Sequence, residues 1–176
     1  SNHLGFVALN FFGLKDYFAD GLNEAGLSVD TLWLSETRLP VSPPEGSAPA
    51  MAFINLAGWL LGTCSTVEDV KAALASVRIW DAPVGMLWPE GRAMPEALKP
   101  LTNWSATEHL SIHDAHGNDL VVEFVEDTMH VYDNHAGVLT NSPVFPWHMT
   151  NLRNYIGLTN AEDKPYNLLG MQVVPT

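Results

Sequence analysis

Tyr17-Phe18-Ala19-Asp20-Gly21-Leu22 and Leu27-Ser28-Val29-Asp30-Thr31-Leu32-Trp33-Leu34, joined by Asn23-Glu24-Ala25-Gly26, read as two β-strands around a tight link. A short connection carrying Asn and Gly suits a hairpin, because Gly26 adopts positive φ without steric cost. On the N-terminal side, Phe6-Val7-Ala8-Leu9 is a further strand-like run. On the other side, residues 38–49 hold four prolines and Gly46 without periodicity, which predicts a surface loop.

Beyond that loop, residues 51–61 are apolar nearly all round and predict a helix buried on most sides, ended by Gly62-Thr63. Ser65 or Thr66 opens a second helix, with Val67, Val70, Leu74 and Val77 at helical spacing. Glu68 and Asp69 fall in its first turn, where the helix dipole favours negative charge. Residues 83–106 are irregular yet hold Met86, Trp88, Met94 and Trp104. A long loop with such side chains is either packed under itself or lines a site. Strands then return at His109-Leu110-Ser111-Ile112-His113, Leu120-Val121-Val122-Glu123-Phe124-Val125, Met129-His130-Val131-Tyr132 and Gly137-Val138-Leu139-Thr140, the pattern of an antiparallel meander. Residues 146–158 predict a helix with Met149, Leu152, Tyr155 and Ile156 on one face and Gly157 at its C-cap. Strands, helices, strands, helix is an α+β order, not an alternating βαβ one.

With 20 acidic and 8 basic residues in 176, the chain carries −12. That balance, with scattered Lys and Arg, lacks the basic footprint of a nucleic-acid partner. At 47% hydrophobic and 16% charged residues, the composition is that of a chain with a packed core. The apolar run from 51 to 64 is too short to span a bilayer and contains Asn55. Both ends fall in structured-looking sequence, Phe6-Val7-Ala8-Leu9 and Gly170-Met171-Gln172-Val173-Val174-Pro175-Thr176, which predicts a middle portion of a longer chain.

Seven histidines raise a metal reading. His109 and His113 are spaced as on one helix face, but a strand separates them by about 13 Å, too far for one ion. Neither that pair nor His113 with His116 makes a ligand set, so no metal and no cofactor is expected. Cys64, the single thiol, follows a helix end with no histidine near it and reads as a half-buried small apolar residue. Leu139-Thr140-Asn141-Ser142-Pro143 is different. An Asn at a strand end, ahead of a Ser held extended by proline, is placed to aim its NH₂ outward as a fixed donor. Such a donor suits an oxyanion hole.

Three stretches together resemble the choloylglycine hydrolase family, which contains bile salt hydrolases and penicillin V acylases. Asp20-Gly21-Leu22-Asn23-Glu24-Ala25-Gly26-Leu27 resembles its D-G-x-N-E-x-G-L hairpin. His109 to Phe124, ending in Gly117-Asn118-Asp119-Leu120-Val121-Val122-Glu123-Phe124, resembles its central hairpin. Leu139-Thr140-Asn141-Ser142-Pro143 with Asn151-Leu152-Arg153-Asn154-Tyr155 resembles its T-N-S/N-P and N-L-x-N-Y signature.

The resemblance implies one N-terminal-nucleophile hydrolase domain that includes residues 1–176. Its fold is a four-layer αββα sandwich, of which this chain would lack the first strands and the C-terminal part. It implies cleavage of linear amides by a cysteine at the mature N-terminus, outside this chain, whose own amino group is the base. The 176 residues alone are then expected to be inactive. Asn141 matches the side-chain oxyanion donor, and Trp33 the position whose backbone N–H completes the hole. Leu32-Trp33-Leu34 is similar to the Gram-negative penicillin V acylase branch, associated with a periplasmic location and with acyl homoserine lactones. Trp33 then walls an acyl pocket or belongs to the core, and both stay open. Met86, Leu87, Trp88 and Met94 fall where the family has a pocket-lining loop. The expected partner is an N-acyl amide: penicillin V, an acyl homoserine lactone or a conjugated bile salt. The acidic balance does not steer anions and so favours the neutral lactones. A non-catalytic binding module on the same scaffold, a cytoplasmic location and a homo-oligomer are the alternatives left open.

Overall fold

The computed structural model describes residues 3–11, 13, 14, 16–43, 45–88, 91–156, 166–168 and 171–173, the side chains of 86, 87, 166–168 and 171–173 excepted. The chain forms two units, Ser1–Phe145 and Pro146–Thr176. In the first, chain order runs β1 (Phe6–Asn10), β2 (Phe18–Asn23), β3 (Ser28–Trp33), β4 (Ala50–Ala52), α1 (Leu56–Thr63), α2 (Val67–Ala75), β5 (Arg78–Trp80), α3 (Val84–Leu87), β6 (Glu108–His113), β7 (Asp119–Val125) and β8 (Thr128–Asp133). Among the described residues, six of these strands make one antiparallel sheet, ordered β1-β2-β3-β6-β7-β8.

One face of this sheet meets the helices. Leu27, Val29, Leu110, Ile112, Leu120, Val122 and Phe124 pack there against Leu56, Leu60 and Leu61 of α1 and Val67, Val70 and Leu74 of α2, all of them buried. The alternate residues Leu110, Ile112, Leu120, Val122 and Phe124 that face the helices and the Val67-Val70-Leu74 stripe on α2 follow the strand and helix periods, while β6 and β7 are buried on both faces. The close approach of α1 depends on Gly21, where a Cβ would stand 2.3 Å from Leu61 Cδ1. The hairpin turn forms as read, with Gly26 at φ +87°.

Asn23, 4% exposed, locks that turn to the helix layer. Its Oδ1 accepts from the N–H groups of Ala25 and Leu27, both at 3.0 Å, and its Nδ2 donates to Leu61 O at 3.0 Å and Cys64 O at 2.7 Å. At the β6–β7 turn, Asp114 Oδ1 accepts from the N–H groups of His116 at 2.9 Å and Asn118 at 3.0 Å. Its Oδ2 accepts from Val67 N–H, the start of α2, at 3.0 Å. Burial alone would push this carboxyl up; the hydrogen bonds from Asn118, Val67 and His116 overcome it and hold it at about 2.

Several elements differ from the sequence reading. The apolar run from 51 to 61 is not one helix. Its start belongs to β4, paired in parallel with β5, followed by a 3₁₀ turn at Phe53–Asn55, and the α-helix begins at Leu56. A continuous apolar run does not distinguish a buried strand from a buried helix. Helix α2 is opened by Thr66 through a capping box with Asp69, and it ends at Ala75, before Val77. Residues 137–140 form no strand. Their backbone groups are taken by side chains: Val138 O accepts from Asn134 Nδ2 at 3.1 Å, and Thr140 O meets His109 Nε2 at 2.9 Å. The irregular region contains α3 and a 3₁₀ segment at Glu96–Leu101.

Helix α4 (Phe145–Leu152), which starts at the last residue of the first unit, gives way to a 3₁₀ turn at Arg153–Tyr155, a turn earlier than expected; Gly157 lies outside the described residues. β9 (Tyr166–Leu168) and β10 (Met171–Val173) pair antiparallel. Among the described residues, no helix is long and apolar enough to cross a membrane.

Candidate active site

Trp33 and Asn141, 108 residues apart in sequence, meet. The Trp33 N–H donates to Asn141 Oδ1 at 2.9 Å. A backbone N–H only donates, so the oxygen of the carboxamide must face it and the NH₂ points the other way. The loop is pinned again one residue on: Ser142 N–H donates to Trp33 O at 2.8 Å, and Ser35 N–H donates to Ser142 Oγ at 2.8 Å. The Ser142–Pro143 peptide bond is cis. Asn141 is thus an amide side chain of fixed orientation at the end of β3.

The geometry bears on the role implied for Trp33. Its N–H is given to Asn141 and orients the donor, and in this arrangement it is not offered to a substrate oxygen. Trp33 is 51% exposed and so is not packed in the core of this unit.

Trp88 and Met94 are half-buried against the hydrophobic core, Trp88 with its indole N–H on Arg92 O at 2.8 Å and Met94 accepting from Thr102 Oγ1 at 3.5 Å. Met86 and Leu87 lie on α3, their side chains outside the described part. A cavity of about 440 Å³ lies elsewhere, lined by Leu4, Phe6, Phe18, Asn55 and Trp59 among others, and contains neither Trp33 nor Asn141.

Cys64 caps the C-terminus of α1, 2% exposed, and burial pushes its thiol up, away from the thiolate a nucleophile needs. Ser111 Oγ lies 2.9 Å from His113 Nε2, and His113 Nδ1 contacts Asp119 Oδ1, the connectivity of a hydrolytic triad. Ser111 is buried mid-strand between Asp30 and Val121, where the neighbouring N–H groups belong to the ladder. No side-chain donor other than the His113 ring is bonded to Ser111 Oγ among the described residues. Among the described residues, no group of three or more His, Cys, Asp or Glu is placed to hold a metal ion.

The sequence reading missed His109 and Glu123 as neighbours of this site, having weighed His109 only as a metal ligand. Both are fully buried. His109 Nδ1 lies 2.9 Å from Glu123 Oε1, while its Nε2 lies 2.9 Å from Thr140 O, the residue before Asn141. The signal was present: with the turn centred on 114–118, strand register puts 109 opposite 123.

Residues 3–175 match the family described as linear amide C–N hydrolases, choloylglycine hydrolase family. The chain belongs to the choloylglycine hydrolase family. It is 36% identical over 145 residues to a bile salt hydrolase/transferase of Clostridium perfringens, covering 80% of this chain and 38% of that protein. It is 29% identical over 148 residues to a penicillin V acylase of Pectobacterium atrosepticum, covering 82% and 36%. A crystal structure of a variant of the conjugated bile acid hydrolase from Clostridium perfringens superposes with a TM-score of 0.74 at 30% identity, over 98% of this chain and 48% of that one. The penicillin V acylase structure from Agrobacterium tumefaciens gives 0.66 at 25% identity, over 89% and 41%. The α+β class of an N-terminal-nucleophile hydrolase, expected from the three motifs, is the class of these choloylglycine hydrolase structures. The chain spans less than half the length of these relatives. Overall identity does not single out the penicillin V acylase branch, so Leu32-Trp33-Leu34 alone speaks for it.

Proposed function

We propose that the protein to which this chain belongs is a cysteine N-terminal-nucleophile amidase that cleaves linear amides of N-acyl compounds. These 176 residues, part of one hydrolase domain, contribute the oxyanion side of the site. The observation that carries this is Asn141, whose carboxamide is oriented through its oxygen by Trp33 N–H at 2.9 Å.

Attack on an amide carbonyl by a thiolate from outside this chain, with the nucleophile's own α-amino group as base, places negative charge on the carbonyl oxygen. Asn141 Nδ2–H donates to that oxygen. Because its orientation is set before the reaction, little reorganisation is needed as charge develops. Trp33 presents a flat, exposed apolar face beside this donor, suited to an aryl or fatty acyl group. Penicillin V and acyl homoserine lactones carry such groups, and conjugated bile salts carry a larger apolar acyl group. The charge of −12 favours the neutral lactones over the anions. The periplasmic location associated with Leu32-Trp33-Leu34 is part of the same proposal.

The test is Asn141→Ala in the full-length protein, assayed on all three substrate types. Turnover is expected to fall about 10²–10³-fold on whichever is cleaved, with the melting temperature nearly unchanged. Unchanged kcat in a folded variant overturns the assignment.

A further inference from the structure

We infer that His109 and Glu123 form a buried clasp that positions Asn141, acting through the backbone of its loop and not through contact with substrate. This rests on the reading of Asn141 as the oxyanion donor. His109 and Glu123 lie on adjacent strands, one step beyond the Leu110–Val122 pair, and both are 0% exposed.

The proton count on the clasp is constrained. Thr140 O only accepts, so His109 Nε2 carries a hydrogen and donates to it at 2.9 Å. The other ring nitrogen faces Glu123 Oε1 at 2.9 Å. One proton therefore lies between that nitrogen and that oxygen, either as imidazolium against carboxylate or as neutral imidazole against carboxylic acid. The same Oε1 accepts from Phe145 N–H at 2.8 Å. Among the described residues Oε2 has no partner, and Oε1 makes the hydrogen bonds of this carboxyl.

The consequence is a clamp on both ends of one loop. Glu123 holds Phe145 directly and Thr140 through the imidazole, and between these two points lie Asn141, Ser142 and the cis bond to Pro143. A buried ionisable pair is a poor device for stability, since an apolar pair of the same volume does as well or better. What this pair supplies, and an apolar pair does not, is two fixed backbone points flanking the donor. A misplacement of about 1 Å in a catalytic group costs on the order of 10²-fold in rate.

The experiment uses the full-length protein and two readouts. His109→Asn retains an amide near the Nδ1 position but cannot reach Thr140; His109→Gln extends its NH₂ to about where Nε2 lies. Hydrogen exchange at the Trp33 amide, which Asn141 Oδ1 protects, is expected to rise about tenfold or more in His109→Asn and to recover in His109→Gln, with Ile112 unchanged in both. Glu123→Gln carries the same expectation at Trp33 and serves if His109→Asn does not fold.

Turnover of penicillin V, an N-acyl homoserine lactone and glycocholate is the second readout. His109→Asn is expected to lower kcat about 10- to 100-fold with little change in KM, and to cost nothing further on an Asn141→Ala background. An unchanged Trp33 exchange rate overturns the inference, as does an equal kcat loss on both backgrounds. Should Asn141→Ala itself leave turnover intact, the oxyanion reading fails, and the exchange result alone decides whether the clasp holds the loop.

Discussion

Asp114 joins the β6–β7 turn to the start of α2, and its replacement tests whether that junction stabilises the unit. In Asp114→Ala, Val67 N–H loses its acceptor at 3.0 Å in a residue only 1% exposed. A buried unsatisfied donor costs about 1–3 kcal/mol. His116 and Asn118 N–H groups, at 2.9 and 3.0 Å, sit at a turn that water reaches, so each adds roughly 0.5 kcal/mol. The sum is about 3 kcal/mol. The depressed carboxyl reflects the same hydrogen bonds: held at about 2, against an ordinary 3.8, it is stabilised as the anion by roughly 2 kcal/mol. The sign follows from linkage. A folded-state value below the unfolded one contributes its full stability above the unfolded value, and that contribution is lost as pH falls through the folded value. Asp114→Asn, which keeps the shape and drops the charge, should therefore trail the wild type by roughly 2 kcal/mol at pH 7 and by about half that at pH 3. Urea unfolding of the full-length protein at both pH values is the assay. An Asp114→Asn variant as stable as wild type at pH 7, or a deficit that does not shrink at pH 3, refutes the reasoning.

Glu108 should give the opposite pH dependence. Burial pushes its carboxyl up to about 7 against the pull of the Tyr17 O–H and Thr107 N–H, with the charge of Asp81 adding to the rise. The fold then holds more protons than the unfolded chain between 4.5 and about 7, so stability should drop by roughly 3 kcal/mol across that window as pH rises. Glu108→Gln should flatten the slope in urea unfolding at pH 5 and 8, and an unaltered slope would falsify this account. Gly21→Ala puts a Cβ 2.3 Å from Leu61 Cδ1 and 3.1 Å from Ala8 Cβ, an overpacking worth about 1–3 kcal/mol by denaturant titration; no loss means α1 has slack there. Trp33→Ala, at a half-exposed indole, should cost less than about 1 kcal/mol yet change the ranking of aryl, short and long acyl substrates by KM, and a large drop in stability with an unchanged ranking contradicts that role.

What could be read in advance was what neighbours in sequence decide. The Asn23-Glu24-Ala25-Gly26 turn, the valine stripe of α2 and the strands around 114–118 each carry their cause within a few residues. What could not be read depends on distant partners. Residues 138–140 have strand-forming side chains but no ladder, and Asn134 and His109 take the carbonyls of Val138 and Thr140. The strand character of 50–52 exists only through its pairing with 78–80. In the site, Asn141 was legible as a type of residue at a type of place, whereas its oxygen being spent on Trp33 was not, since 108 residues separate them.

The motif that most resembles the family has a structural explanation residue by residue. Gly21 leaves room for Leu61, and Glu24 holds Gly5 through its own N–H at 2.8 Å and its carboxylate at 2.9 Å. Asn23 spends both amide hydrogens on the end of α1 and both lone pairs on its own turn. Gly26 takes a positive φ with no room for a Cβ beside Ala115, and Leu27 is fully buried. None of these groups faces Asn141 or Trp33 in the contacts they make, so that stretch carries the fold and is silent on substrate. Specificity has to be sought in side chains that make no comparable internal demands, and half-exposed Trp33, whose backbone N–H meets Asn141, is such a residue. A chain can therefore keep this hairpin and vary Trp33, because none of these hairpin contacts involves the Trp33 side chain.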